Sequence, residues 1–117
     1  MNYIFLTAQI FIFTFFTIIN ATTLHVPSEY LNIQSSITAS EIGDTVLVAT
    51  GTYFENISFE GKDIVIISEM GSEQTIIDGS DNGSVVTFAG GESENAGLIG
   101  FTIWNGSGTF ISFLNYG

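Results

Sequence analysis

GDTVLVATGTYFENISFEGKDIVIISE, residues 43–69, holds short apolar runs that stop at a glycine, restart within a few residues, stop again and begin over. A hairpin protein would join alternating strands by tight turns. An α/β protein would set a helical period between the runs. Neither pattern is present. Aligned with itself, the chain divides into Asp44–Lys62, beginning DTVLVATGTYFENISF, Asp63–Gly83, beginning DIVIISEMGSEQTIID, and Ser84–Gly108, beginning SVVTFAGGESENAGLIGFTI. Val46, Val65 and Val85 recur at about 20 residues, with Ile57 and Ile76 at the same step, and a fixed period of that size marks a stack of coils. Each unit carries two apolar runs and a polar, glycine-rich gap. The expectation is valine stacked over valine, with every strand bonded to its counterpart one unit away.

The residue types favour strands. Val46–Val48, Ile64–Ile67 and Val85–Thr87 are rich in β-branched side chains. Gly51, Gly71, Gly79, Gly83, Gly90 and Gly91 stand where a coil must turn, and the crossover rule makes parallel connections right-handed. Leu24–Val26 reads as an entering strand. Between Pro27 and Asp44, Tyr30, Ile33 and Ile37 fall on one stripe at helical spacing, which predicts a short helix over roughly Leu31–Ser40, with Ser28 as N-cap and Gly43 as stop. Such a helix would cover the open first coil.

The first 21 residues, MNYIFLTAQIFIFTFFTIINA, are almost wholly apolar and uncharged from Ile4 to Ile19 and end on a small residue. They read as a signal peptide helix cut between Ala21 and Thr22, with an uncleaved anchor as the alternative. The expected localisation is secreted or extracytoplasmic, with no membrane partner after cleavage. The expected organisation is signal peptide 1–21, entering strand and capping helix 22–43, coils 44–108, and a truncated C-terminal segment 109–117.

Cysteine is absent, so no disulfide framework supports the small domain. Net charge is −11, with twelve carboxylates, no arginine and Lys62 as the one basic side chain. Nucleic acid is excluded, because phosphate recognition depends on Lys and Arg.

The ordered segments HVPSEYLNIQSSI, GDTVLVATGTYFENI, GKDIVIISE, TIIDGSDNGSVVTF and GLIGFTIWNGSG resemble the opening coils of right-handed parallel β-helix proteins of the pectin lyase-like superfamily. The resemblance runs from Leu24 to Gly108. It implies an all-β solenoid of about three coils behind a short N-terminal capping helix, from a group containing pectate lyases and pectin methylesterases. Relatives continue for further coils that carry the catalytic groups, so the chain reads as the front end of a longer protein. Lyases of that kind use arginine or lysine as base. Here arginine is missing and Lys62, in EGKD, reads as a solvated turn residue.

No catalytic residue is assigned and no cofactor is expected. Asp78 and Asp81 in DGSDNG are candidate calcium ligands, as are Glu92 and Glu94 in GGESEN, although Asp and Asn beside glycine are ordinary turn residues. His25 stands alone. Trp104 and Tyr53 would form a sugar-stacking platform if both faced outward, against packing as the ordinary role of such aromatics. NIS at Asn56 and NGS at Asn82 and Asn105 are glycosylation sequons.

The function expected is that of a non-catalytic fragment of a secreted β-helix protein, structural or carbohydrate-associated, with polysaccharide as partner. The alternatives are the front of a polysaccharide lyase or esterase, and a surface adhesin. The uncapped last coil, near Phe101–Trp104 and Phe110–Leu114, is expected to promote self-association.

Overall fold

The computed structural model of the chain describes residues 20–108. The apolar run expected to be the signal peptide, apart from its last two residues, and the segment 109–117 lie outside them. Nine short strands and one helix follow in the order β1 (Thr23–Val26), α1 (Ile33–Ala39), β2 (Thr45–Val48), β3 (Gly51–Phe54), β4 (Ile57–Ser58), β5 (Val65–Ser68), β6 (Thr75–Asp78), β7 (Val86–Thr87), β8 (Gly97–Ile99) and β9 (Thr102–Trp104). They form three parallel sheets in the orders β1-β2-β5-β8, β3-β6-β9 and β4-β7. Successive strands in the chain belong to different sheets, and each pairs with the strand one winding away. The fold is a parallel β-solenoid of about three turns. Among the described residues β8 and β9 are paired on one side only.

The stacking differs from the expected one by a residue and by a strand. Val46 lies between Leu24 and Ile66, with Leu98 above them, all facing inward. Val65 instead pairs with Thr45 and Gly97, on the outer surface. Val85 belongs to another face of the coil, where its carbonyl accepts from the Ile57 N–H at 2.8 Å. Ile57 pairs with Val86, whereas Ile76 pairs with Thr52. A winding therefore holds three strands and not two runs, and Ser84–Gly108 straddles two windings. The step between stacked residues is 22 from Leu24 to Val46, 20 from Val46 to Ile66 and 32 from Ile66 to Leu98. Loops of unequal length, such as the one between β7 and β8, absorb the difference.

The inward columns make one core. Leu24, Val26, Val46, Val48, Ile57, Phe59, Ile64, Ile66, Ile77 and Val85 are all buried. Each such side chain stabilises the fold by about 1.5–3 kcal/mol relative to exposure. The outer column of the first sheet, His25, Leu47, Ile67 and Ile99, is also mostly apolar. That is why the runs read as continuous rather than alternating. Two glycines are required by crowding: a Cβ on Gly90 would stand 2.6 Å from the Gly61 nitrogen, and one on Gly79 would stand 2.7 Å from Val85 Cγ2.

Helix α1 covers the first winding, as expected, but its ends are set by other residues than those expected. Its N-cap is Asn32, whose side chain accepts from the Ser35 N–H at 2.8 Å, while the Ser35 hydroxyl accepts from the Asn32 N–H. Ser28 lies outside the helix, and Leu31 is exposed. Ile33 and Ile37 point into the core and are fully buried. The helix ends at Ala39 with Ser40 as C-cap, before Gly43 is reached.

The next winding holds the helix at both ends. Glu55 accepts from the Ile33 and Gln34 N–H groups, each at 2.9 Å, where the first-turn donors have no helical partner. Lys62 donates from Nζ to the carbonyls of Ile37, Thr38 and Ser40 at 2.9, 2.9 and 2.8 Å. An acid at the positive end and a base at the negative end both oppose the helix dipole favourably. Lys62 is therefore a helix clamp and not a solvated turn residue. Gln34 adds a third tie: its amide donates to the Ser58 carbonyl and accepts from the Ser58 N–H, as a neighbouring strand would. The open edge of β4 is closed by a side chain.

The turn before β2 is organised by Asp44, which is buried and accepts from the Thr22 and Glu41 N–H groups at 2.9 and 2.8 Å. Burial acts to raise its carboxyl, but those hydrogen bonds, the Thr22 side chain and the Lys62 charge outweigh it and hold the group below the usual 3.8. A folded-state value below the unfolded one means that the unfolded chain binds more protons as pH falls. The stabilisation is complete above pH 3.8 and is lost as pH drops through the folded value. Acid also relieves the mutual repulsion of a chain with net charge −11, so the clean measurement is a difference. Wild type is expected to exceed Asp44→Asn in urea stability at pH 6, with the gap closing below about pH 4. A gap that stays constant down to pH 2.5 would show that Asp44 is not the group responsible.

Candidate functional site

Sheet β3-β6-β9 presents one column that the packing does not use. Tyr53, Ile77 and Ile103 occupy its inner positions in register, so their neighbours Phe54, Asp78 and Trp104 face outward, also in register. Phe54 is 70 % exposed and Trp104 58 % exposed. Adjacent strands lie about 4.8 Å apart, so the two rings stand on strands roughly 10 Å apart with the carboxylate on the strand between them. That carboxylate is pre-oriented. Asn105, which follows Trp104, donates from Nδ2 to both Asp78 oxygens at 3.1 Å, and the Ser80 N–H donates to Oδ1 at 2.8 Å. Asn105 adopts φ +51°, a conformation asparagine tolerates better than most residues, and this turns its amide back toward β6.

Two residues earlier on each strand, Thr52, Ile76 and Thr102 form a flatter, partly exposed outer column. The face thus offers two aromatic surfaces, an oriented acceptor between them and hydroxyl-bearing neighbours. Such a surface suits a flat ligand with apolar faces and hydroxyl edges. Among the described residues no lysine or arginine belongs to this sheet.

Of the two aromatics expected to form a platform if both faced outward, Trp104 faces outward and Tyr53 does not. Tyr53 turns inward, packs against the core, and its hydroxyl donates to the Ala49 carbonyl at 2.8 Å. Burial, followed by the nearby charges of Glu55 and Glu69, raises its phenol above the usual 10.0. Phe54 was not singled out by sequence reasoning. The signal for it was the alternation Thr52-Tyr53-Phe54, which places only one of the two aromatics on either side.

Of the candidate calcium ligands, Asp78 and Glu92 are engaged by hydrogen bonds within the fold. Asp78 is engaged by Asn105 and Ser80, while Asp81 sits in the following turn with φ +57°. Glu92 is turned to backbone, its Oε1 accepting from the Gly61 and Gly90 N–H groups at 3.0 and 2.9 Å. Burial acts to raise Glu92, and the Gly90, Glu92 and Gly61 N–H groups pull it below the usual range. Among the described residues no three or more His, Asp or Glu side chains gather as a metal site would require. His25 lies 3.8 Å from Glu29 at the surface, apart from the other candidates. Asn56, Asn82 and Asn105 of the three sequons are exposed, each at the corner that follows the β3-β6-β9 sheet. No helix among the described residues is long and apolar enough to cross a membrane.

No family model, curated protein or solved structure matches this chain.

Proposed function

We propose that the chain is a non-catalytic, secreted β-solenoid of the pectin lyase-like kind that associates with neutral polysaccharide through Phe54, Asp78 and Trp104. The in-register aromatic–carboxylate–aromatic column carries the reading. Exposed aromatic side chains in line along one sheet are costly to leave wetted, and rings of this size supply most of the contact area in a sugar site. A single held carboxylate accepts hydrogen bonds from sugar hydroxyls and orients the chain. Net charge selects among polysaccharides. At −11, with the sole lysine committed to helix α1, the protein repels polyuronate, so an uncharged glycan is the partner.

One observation supports the non-catalytic part. A lyase base would need a free cation, and Lys62 is already held by three carbonyls. Titration calorimetry with six-unit β-1,4-linked glucan, xylan and mannan oligosaccharides tests the reading. At least one is expected to bind in the micromolar to millimolar range, while oligogalacturonate gives no heat. Trp104→Ala should weaken binding by roughly tenfold, within the range of about 0.5–1.5 kcal/mol found for aromatic stacking. Affinity unchanged in a Phe54→Ala/Trp104→Ala double variant would remove the site. Release of unsaturated or reducing ends from polygalacturonate above background would overturn the non-catalytic assignment.

A further inference from the structure

We propose that cleavage between Ala21 and Thr22 turns the Thr22 nitrogen into an ammonium that closes on the Asp44 carboxylate, so that maturation itself completes the first winding. The inference rests on the reading of the chain as secreted. It draws on a coincidence of two independent observations. The apolar run and small residue place the scissile bond after Ala21. Among the described residues, the next residue makes the first ties to the solenoid: the Thr22 N–H donates to Asp44 Oδ1 at 2.9 Å, and the Thr22 carbonyl accepts from the Thr45 N–H at 3.0 Å. Strand β1 starts one residue later, at Thr23. Ala21 and Thr22 are both exposed, so the bond is accessible from solvent.

The chemistry is a hydrolysis by a membrane signal peptidase. Water adds across the Ala21–Thr22 amide, Ala21 leaves as a carboxylate, and the freed nitrogen takes up a proton. The atom that was a neutral amide donor becomes a charged one in the same place. A hydrogen bond with charge on both partners is stronger than one with charge on the acceptor alone. Asp44 suits this partner. It is 6 % exposed, and its second oxygen is already occupied by the Glu41 N–H at 2.8 Å. Lys62 supplies the other positive charge that acts on Asp44. In a chain with one basic side chain, the new terminus doubles the number of fixed cations in the folded part.

The test expresses the full chain in a secreting host and sequences the N-terminus of the released protein, expected to be Thr22. Its α-amine is then titrated by NMR. Free termini titrate near 7.7–8.0, and a carboxylate in contact is expected to raise this by about one unit, a tenfold gain in proton affinity. Asp44→Asn should return the value to the free range. Should that variant fail to fold, acetylating the Thr22 amine of the wild type is expected to speed hydrogen exchange at the Thr45 amide, leaving Ile66 unchanged. Release with any other first residue, or export without cleavage, overturns the inference and leaves secretion standing. A terminus that titrates as a free one, or Thr45 exchange indifferent to acetylation, also overturns it. Retention inside the cell with residues 1–21 intact overturns both readings.

Discussion

Phe59→Ala is expected to destabilise the protein by about 3–5 kcal/mol, the range for removing a buried aromatic ring without collapse of the space it filled. Phe59 is fully buried, and its ring stacks on Phe88 with centroids 4.1 Å apart and planes 26° apart. Its N–H donates to the Thr87 carbonyl in the next winding. The residue therefore joins two layers through both ring and backbone. A domain this small has a total stability of roughly 5–15 kcal/mol, so the variant should lose a large fraction of it. Phe59→Leu, which refills most of the volume, should lose far less. The measurement is the urea midpoint at unchanged slope, followed by near-ultraviolet circular dichroism. A loss under 1 kcal/mol for the alanine variant would place the core elsewhere.

Lys62→Met comes second, with an expected loss of about 2–3 kcal/mol, in line with hydrogen bonds to a charged group in a partly buried setting. Methionine keeps the stem and removes the ammonium. Three carbonyls at the end of α1 then lose their donor together. A helix of seven residues does not persist in water by itself, so it depends on this clamp and on the one made by Glu55. The loss should be local. Amide exchange over residues 33–39 is expected to accelerate more than exchange in β5, whose bonds lie within the stack. Lys62→Arg should recover only part, because a planar guanidinium cannot aim three donors at one converging set of carbonyls as an ammonium does. Unchanged exchange in α1 for the methionine variant would show that the helix is held by burial of Ile33 and Ile37 alone.

Both effects bear on what was legible in the residues. The strand character of TVLV and VIIS is local, because β-branched side chains favour extended backbone wherever they occur. The apolar stripe of Ile33 and Ile37 is likewise contained within one turn of helix and needs no distant partner. Stacked units follow from the recurrence of such runs between glycines. Handled this way, the chain announces a coiled all-β architecture with a helix over its first layer, and the structure bears out both.

Register was a different matter. Hydrogen bonds between parallel layers join backbone to backbone and do not distinguish Val65 from Ile66. A count of residues carried through the loops cannot say which of the two lies above Val46. Loop length then varies with no effect on the bonded layers, as the steps of 20 and 32 between stacked positions show. Side-chain partners lay further out of reach. Glu55 and Lys62 meet α1 from 21 to 25 positions away, and Gln34 answers Ser58 across 24.

The sequence by itself determined the class of fold and the capped first winding, since both depend on local conformational preference. The tertiary structure alone decided which side chains stand over one another. It turned Lys62 from a turn residue into a helix clamp, and it brought Phe54, Asp78 and Trp104 into one outward column. The reason is physical: inward and outward alternate with a period of two along each strand, but parity is reset at every loop, and only closure of the winding sets it again.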